Sequence, residues 1–302
     1  MSASTSTIRI ATAAYPLDAM PTLDAVEDKI ARWVAEAADR GAQLLVFPEY
    51  GAMELAAPAG EAVCADLQAS LAAVSDAMPR IDAAHADLAR RHGVHILAGS
   101  GPRRGADGLY RNTARLFAPS GNMGAQDKLI RTPFEHDWGL VAGDRAQVFE
   151  TEFGRIGVAI CYDSEFPLLV RSMVEAGAGI ILIPACTELV SGFHRVRTAA
   201  LARALESTCV TVLSPTVGTS TWSPAIDYNS GAAGIYVPSE AGVSDTGVIA
   251  EGTLDAPGWV YGTVDLAALA RLASSGEMRN RADWVRQPGG ALTLPTPEIV
   301  KL

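Results

Sequence analysis

Apolar and polar positions follow two different periods along the first hundred residues. Apolar runs of strand length lie at 8–14, 44–47 and 94–98. Between the first two runs, residues 26–37 place apolar side chains at helical spacing, and Gly41 ends that pattern. The Ala-rich stretch 61–92, ended by Gly93, predicts a longer helix before the third run. This part of the chain therefore alternates strands with helices.

From about Tyr110 the pattern changes to paired strands without intervening helices. Predicted hairpins join 113–118 to the segment ending at Lys128, and 148–153 to 155–160. Later strands are predicted at 179–184, 209–214, 234–238, 248–252 and 259–264, and helices at 193–207 and 265–273. We therefore expect an α/β protein in which two mixed sheets pack together with helices outside them, and a single doubly wound sheet is the structural alternative.

The chain shows no linker rich in Pro, Ser or Gly that would divide it. Its 302 residues are enough for two ordinary domains or for one large unit. Because helices and strands occur in both halves, we predict one domain over 1–302. Within it, residues 8–275 form the core and 276–302 a C-terminal extension that is a candidate for a subunit interface.

Net charge and hydropathy narrow the possible partners. The formal net charge is −10, the isoelectric point is near 5.0, and the basic residues are scattered, which argues against a nucleic-acid partner. The first seven residues do not resemble a signal peptide, and the apolar runs are too short to cross a bilayer. We therefore expect a cytoplasmic protein without a membrane or nucleic-acid partner.

The four cysteines, Cys64, Cys161, Cys186 and Cys209, show neither a Cys-x-x-Cys motif nor the spacing of Cys and His ligands to zinc. We expect free thiols and no metal site. Most such thiols are small hydrophobic residues of the core. Cys161 differs because it ends an apolar strand.

Three buried-looking strands each end in a reactive side chain: Glu49, Lys128 and Cys161. Such strand ends are where α/β folds assemble sites. Taken singly, they could be a loop carboxylate, a hairpin cation and an inert thiol. Taken together, they supply a nucleophile, a base that can remove its proton and a cation that can stabilise negative charge. None of the five histidines ends a strand, so a carboxylate is the natural base.

In this order, the three segments resemble the nitrilase superfamily of carbon–nitrogen hydrolases. The quoted matches are Val46-Phe47-Pro48-Glu49, Asp127-Lys128-Leu129 and Ile160-Cys161-Tyr162-Asp163. Weaker matches are Phe166-Pro167 with Arg171, Gly177-Ala178 leading to Ile183-Pro184, Arg203-Ala204-Leu205-Glu206, and 231–238. The chain departs from the family pattern at Leu168, commonly Glu, and at Ser207, commonly Asn.

The resemblance implies a four-layer α-β-β-α sandwich, pairing into a homodimer or higher homo-oligomer, and a mechanism without metal or organic cofactor. It implies that Glu49 accepts the proton of Cys161, and that Lys128 and the backbone N–H of Tyr162 stabilise the oxyanion. A second carboxylate of the family is best matched by Glu135, which would orient Lys128 and the substrate. Asp137 is the competing position.

Cys161-Tyr162-Asp163 resembles the amidase branches, which favours a small-molecule amide over a nitrile as substrate. We expect a linear amide, either a small aliphatic amide or an ω-amide. A nitrilase, an N-carbamoyl hydrolase that uses an arginine, and a catalytically silent binding or scaffold relative are the alternatives. Further candidates for the pocket wall are Tyr50, Trp138 and the segment Cys186-Thr187-Glu188. Candidate arginines are Arg171, Arg195 and Arg197, each of which could instead form a structural salt bridge or a dimer contact.

Overall fold

The structure, a computed structural model, describes residues 7–287 and 293–302. The strands are β1 Thr7–Pro16, β2 Leu44–Val46, β3 His95–Arg104, β4 Tyr110–Phe117, β5 Met123–Asp127, β6 Gln147–Thr151, β7 Gly154–Val158, β8 Ala178–Ala185, β9 Val210–Thr219, β10 Tyr228–Asn229, β11 Gly234–Tyr236, β12 Val248–Glu251, β13 Gly258–Asp265 and β14 Glu298–Lys301. The helices are α1 Leu23–Asp39, α2 Glu61–Ala65, α3 Leu67–His92, α4 Pro133–Asp137, α5 Pro167–Glu175, α6 Val190–Ser207, α7 Leu266–Ser275 and α8 Asn280–Asp283. Short 3₁₀ helices cover Gly51–Ala59, Cys161–Glu165 and Trp284–Arg286.

The strands of the described residues form one mixed sheet, with the hydrogen-bonded order β14-β6-β7-β8-β9-β1-β2-β3-β4-β5. Off this path, β10 and β11 pair with β9, β12 pairs with β11, and β13 pairs with β1. The prediction of an α/β fold with mixed pairing is confirmed. The prediction of two separate sheets is wrong, because the two halves are joined into a single, nearly closed sheet.

The join lies at the end of β1. Most of β1 pairs with β2 and β13, whereas its last residues, Tyr15 and Pro16, pair in parallel with Thr216 and Val217 of β9. One strand thus belongs to both halves of the sheet. Pairing between positions about 200 residues apart leaves no local pattern in the sequence, so strand periodicity could not reveal it.

Two apolar clusters follow from the alternation of side chains along each strand. Ile8 and Ile10 of β1 belong to a cluster shared by both halves of the sheet, together with Leu44, Val46, Val148, Ile156, Leu182 and Val212. The intervening side chains of the same strands pack on the other face, with α1 and α3; they include Ala11, Ala13, Leu45 and Phe47. The sheet therefore encloses one core and supports another beneath its helices.

The predicted helix 61–92 is interrupted once. Asp66 has an extended backbone, and its carboxylate accepts a hydrogen bond of 2.8 Å from the N–H of Ala69. It is therefore the N-cap of α3 and separates α3 from α2. Gly93, with a φ of 64°, ends α3 as predicted.

The C-terminal extension contributes a strand that the sequence pattern did not predict. Within it, β14 adds to the edge of the sheet in parallel with β6. Residues 288–292 of the extension and the N-terminal residues 1–6 lie outside the described residues. The single-domain organisation and a subunit interface at the extension stay predictions. None of the described helices combines the length and apolarity that crossing a membrane requires.

The hydroxyl of Ser214, at the join of the two halves of the sheet, allows a test of how much this join contributes to stability. The Ser214 hydroxyl lies 2.8 Å from the carbonyl oxygen of Ala13 and 3.0 Å from that of Val46, so its one proton is shared between two acceptors, and all three residues are buried. We expect Ser214→Ala to lower the free energy of unfolding by about 1–3 kcal/mol, since buried acceptors lose their donor. Denaturant titration measures this. Ser274→Ala, which removes an exposed hydrogen bond to the Arg271 carbonyl, is the control and should change it little.

Candidate active site

The ends of three strands meet at one pocket. Glu49 follows β2 after Phe47 and Pro48, Lys128 directly follows β5, and Cys161 begins the 3₁₀ helix after β7. Their side chains are 1%, 3% and 5% exposed, and all three line a concave pocket of about 440 Å³. The structure thus brings together the three residues that the sequence analysis placed at separate strand ends.

The backbone at Cys161 is in the left-handed region, with a φ of 48°. This conformation is unusual for a residue with a side chain and must be held by its surroundings. Asp163 provides such a hold: its carboxylate accepts hydrogen bonds from the N–H groups of Ile160 at 3.2 Å and of Ile130 at 2.8 Å. It also accepts from the N–H of Leu129 at 3.2 and 3.3 Å. Asp163 therefore fixes the cysteine segment to the segment that carries Lys128.

Lys128 lies between two carboxylates. Its Nζ is 2.7 Å from Oε1 of Glu49 and 2.8 Å from Oε2 of Glu135. All three side chains are at most 3% exposed. The three groups form a buried ion network in which each carboxylate keeps the ammonium charged and the ammonium stabilises both carboxylates.

Glu135 has the larger set of hydrogen-bond donors. In α4, Thr132 and Glu135 form a capping box, in which Oε2 of Glu135 accepts from the N–H of Thr132 at 2.9 Å. Oε1 accepts from the Tyr50 hydroxyl at 2.7 Å. Asp137, the competing position, is exposed and does not line the pocket. The structure therefore places Glu135, and not Asp137, beside Lys128.

Asn112 is the member of the network that the sequence analysis missed. From β4, its amide donates to Oε1 of Glu49 at 2.9 Å and to Oε1 of Glu135 at 3.1 Å. Its own oxygen accepts from the Ser100 hydroxyl at 2.7 Å, and its backbone carbonyl accepts from the N–H of Lys128 at 2.8 Å. A lone asparagine at the start of a predicted strand gives no signal of this role, which depends on the pairing of β3, β4 and β5.

The pKa values of Glu49 and Glu135 are shifted in opposite directions. Burial raises the pKa of Glu49, and the nearby Glu135 adds to this, although Lys128 opposes it. Burial would also raise the pKa of Glu135, but Lys128, Thr132 and Tyr50 hold it below its ordinary value. A pair whose pKa values are pushed apart can be assigned distinct roles. Glu135 is the carboxylate held ionised, and Glu49, whose pKa is raised, is the carboxylate better suited to exchanging a proton.

The thiol and the ammonium complete this assignment. Burial and the charge of Glu49 raise the pKa of Cys161 well above its ordinary value, although Lys128 opposes them. Burial would lower the pKa of Lys128, but Glu49 and Glu135 raise it above its ordinary value. The resting site therefore holds a neutral thiol and a charged ammonium, so the nucleophile needs a base when it attacks.

Glu49 has an oxygen free for that role. Both hydrogen bonds that it accepts from Lys128 and Asn112 in the described part of the chain fall on Oε1. Cys161 slightly opposes the raised pKa of Glu49, and the two side chains line the same pocket. The second oxygen of Glu49 is therefore the candidate acceptor for the thiol proton.

The other predicted pocket residues also line this cavity: Tyr50, Trp138, Tyr162, Cys186 and Thr187. The rings of Tyr50 and Trp138 meet edge to face at 5.6 Å. The carbonyl of Cys186 lies 3.8 Å from Sγ of Cys161. Thr187 directs its hydroxyl to the carbonyl of Ser230 at 2.7 Å. These residues therefore form walls around the thiol.

The candidate arginines form salt bridges within the chain. Arg171 pairs with Glu175, Arg197 pairs with Glu251 at 2.8 Å, and Arg195 lies 3.3 Å from Glu165 at the pocket mouth. Glu188 lines the pocket as part of the predicted Cys186-Thr187-Glu188 segment, whereas the sequence analysis missed Glu165, Asp227, Tyr228 and Asn229. Glu165 ends the 3₁₀ helix that begins at Cys161, and the other three lie at β10, so their convergence is visible only in the fold. Within the described ranges, no group of three or more His, Cys, Asp or Glu side chains could hold a metal ion.

Comparison with known families identifies the chain over most of its length. The carbon–nitrogen hydrolase family model matches residues 7–273, which include Glu49, Lys128, Glu135 and Cys161. The chain belongs to the carbon–nitrogen hydrolase family. The resemblance to the nitrilase superfamily noted in the sequence is therefore confirmed.

Individual relatives of this carbon–nitrogen hydrolase agree with the family match. The probable hydrolase YhcX of Bacillus subtilis is 33% identical over 279 residues, covering 91% of this chain and 53% of that protein. The deaminated glutathione amidase of Yersinia enterocolitica is 32% identical over 144 residues, covering 44% of this chain and 50% of that protein. The chain thus spans about half the length of these curated relatives.

Solved structures share the fold. A variant of the amidase from Nesterenkonia sp. AN1 superposes with a TM-score of 0.64 at 22% identity, covering 84% of this chain and 92% of that one. At this identity the likeness shows the fold alone. The α/β architecture of this carbon–nitrogen hydrolase is therefore that of the nitrilase superfamily.

Glu49 raises and Lys128 lowers the pKa of the Cys161 thiol, and this predicts how its reaction with iodoacetamide depends on pH. We expect the pH midpoint of alkylation in the wild type to lie above about 8.5, the value of a free cysteine. Glu49→Gln should lower the midpoint, because it removes the negative charge that opposes the thiolate and leaves Lys128 in place. Peptide-resolved mass spectrometry over a pH series measures both. Glu36→Gln, an exposed change on α1, is the control; an unchanged or higher midpoint in Glu49→Gln would contradict the assignment.

Proposed function

We propose that the chain is a cysteine-dependent amidase that hydrolyses a small linear amide to a carboxylic acid and ammonia. The convergence of Cys161, Glu49 and Lys128 in one pocket carries this proposal. Glu135 orients the lysine from its other side. Burial of the charged groups of Lys128, Glu49 and Glu135 opposes folding unless every charge is compensated. A catalytic role accounts for this cost, whereas a binding or scaffold role does not.

Acylation begins with the neutral thiol. Glu49 removes the proton of Cys161 as sulfur attacks the amide carbon, and the carbonyl oxygen becomes an oxyanion. The Lys128 ammonium and the backbone N–H of Tyr162 stabilise this charge, since both lie beside the nucleophile and the N–H belongs to the first turn of a helix. Glu49 then gives its proton to the leaving nitrogen, the C–N bond breaks, and ammonia leaves a thioester on Cys161.

Deacylation uses the same groups in reverse. Glu49, again ionised, takes a proton from water as the water oxygen attacks the thioester carbon. The oxyanion forms at the same position, beside Lys128. Collapse of the oxyanion breaks the C–S bond and releases the carboxylic acid. Glu49 gives the proton that it took from water to the sulfur of Cys161. Glu135 stays ionised throughout and keeps Lys128 charged and in place.

Amides are favoured over nitriles and N-carbamoyl compounds on two grounds. Cys161 is followed by Tyr162 and Asp163, as in the amidase branches that the sequence resembles. The similar proteins include a deaminated glutathione amidase and the amidase from Nesterenkonia sp. AN1, in which acrylamide adds to the active-site cysteine. We also propose a homo-oligomer, which gel filtration tests without bearing on the chemistry.

The central test is an ammonia-release assay with linear amides, nitriles and N-carbamoyl compounds as separate substrates. We expect turnover of amides, and a loss of kcat/KM of about 10³-fold or more in Cys161→Ala and in Glu49→Gln, because each change removes a group that takes part in bond formation. Cys64→Ala, a buried thiol packed beneath the helices, is the matched control and should keep its activity.

Three results would contradict the amidase assignment. Faster release from nitriles than from amides would identify a nitrilase, and turnover of N-carbamoyl compounds alone would identify a carbamoyl hydrolase. The absence of both turnover and acylation of Cys161 by every compound would support a silent relative instead.

The pH profile of kcat/KM tests the assignment of the base. Activity requires ionised Glu49, so it should fall as pH decreases through the raised pKa of that group, above the value of about 4.3 of an ordinary glutamate. Glu135→Gln should move this acid limb to lower pH, because the charge of Glu135 raises the pKa of Glu49. Glu36→Gln should leave the limb unchanged. A limb that stays in place in Glu135→Gln would argue that another group titrates.

A further inference from the structure

The outer half of the pocket bears on the substrate, and the inference drawn from it rests on the proposed function. The inner half holds Cys161 and the buried Glu49, whose Oε2 accepts no bond from Lys128 or Asn112. The outer wall comes from the segments after β8, around β10, from α4, and from the start of α6. Its composition decides which amides can approach the thiol.

The charges of the outer wall are unbalanced. Arg195 lies 3.3 Å from Glu165, and the pair is neutral as a whole. Glu188 and Asp227 also line the pocket, and neither forms a salt bridge in the part of the chain that the structure describes. The outer wall therefore carries two uncompensated negative charges. The inner network adds another, since it holds one ammonium and two carboxylates.

Apolar and aromatic side chains line the same pocket as these carboxylates. Phe134, Leu189 and Tyr228 line the pocket and are 62%, 63% and 54% exposed, although large apolar side chains are normally covered. Tyr228 directly follows Asp227 in the chain. An aromatic face attracts a cation, and a carboxylate beside it adds to that attraction. A pocket wall that combines apolar side chains, aromatic rings and carboxylates suits an alkyl chain that ends in an ammonium group.

We propose that the substrate is a linear amide whose acyl chain ends in a cationic amine, and that Glu188, Asp227 and Tyr228 select it. The reacting amide reaches Cys161, the methylene chain lies against the apolar wall, and the ammonium meets the carboxylates at the mouth. An amide that ends in a carboxylate is disfavoured, because its charge enters a pocket of the same sign without an unpaired cation to receive it.

Three six-carbon amides with the same reactive end test this preference: hexanamide, its ω-amino derivative and its ω-carboxylate derivative. We expect kcat/KM to be at least about tenfold higher for the ω-amino amide than for the ω-carboxylate, with hexanamide between them. The ratio of kcat/KM for the ω-amino amide to kcat/KM for the ω-carboxylate amide should decrease at high ionic strength, since the selecting charges are close to solvent. Equal turnover, or preference for the ω-carboxylate, would overturn the inference and leave the amidase proposal intact.

Charge-neutral variants locate the preference. Glu188→Gln and Asp227→Asn should each reduce the ratio of kcat/KM for the ω-amino amide to kcat/KM for the ω-carboxylate amide severalfold. Asp28→Asn, an exposed change on α1 away from the pocket, is the control. A ratio that is unchanged in the double variant Glu188→Gln/Asp227→Asn would remove the assignment to these residues.

Binding to Cys161→Ala separates this inference from the proposed function. Calorimetry with the ω-amino and ω-carboxylate amides measures affinity without hydrolysis. Tighter binding of the ω-amino amide supports the charge selection even where no amide is turned over. Equal binding, or tighter binding of the ω-carboxylate, counts against it whatever the activity assay shows.

Discussion

The site depends on one buried interaction, the contact of Lys128 with two carboxylates. Removing three charged groups from water opposes folding, and their attraction offsets this only where the geometry is good and the remaining hydrogen-bonding atoms are satisfied. Here Lys128 lies within 2.8 Å of both Glu49 and Glu135, and Asn112 donates to both carboxylates. The network is complete enough to persist in the core and keeps one ammonium charged beside the thiol.

This network also requires three strand ends to meet at one place, since Lys128 contacts both carboxylates at 2.7 and 2.8 Å. Glu49, Lys128 and Cys161 come from strands that are not neighbours in the chain, and β2 and β7 lie in different halves of the sheet. Asp163 connects the cysteine segment to the lysine segment through backbone N–H groups, and Asn112 connects both carboxylates to β4. Burial raises the pKa of Asp163 to about 7. This connection therefore depends on a carboxylate whose ionised form is disfavoured by its buried position.

The sequence pattern predicted the features that depend on neighbouring residues in the chain. Strand periodicity located β1, β2 and β3, and the residue types at the strand ends indicated Glu49, Lys128 and Cys161 before any geometry was known. The single sheet could not be predicted, because the pairing of Tyr15 with Thr216 links distant segments. Asn112 was missed for the same reason. Its amide has a function only because the sheet register places it between two carboxylates.

The choice of a carboxylate base determines how the thiol behaves at rest. A cysteine beside a cationic histidine is stored as a thiolate, whereas burial and Glu49 keep the proton on Cys161. In the mechanism that we propose, the thiolate is therefore formed only as the substrate carbon accepts the sulfur electrons. Because the proton then resides on Glu49, the acid needed for the leaving nitrogen is already beside the C–N bond. One carboxylate of raised pKa thus serves both proposed half-reactions, and Glu135, held ionised by donors from four residues, does not compete with it for the proton.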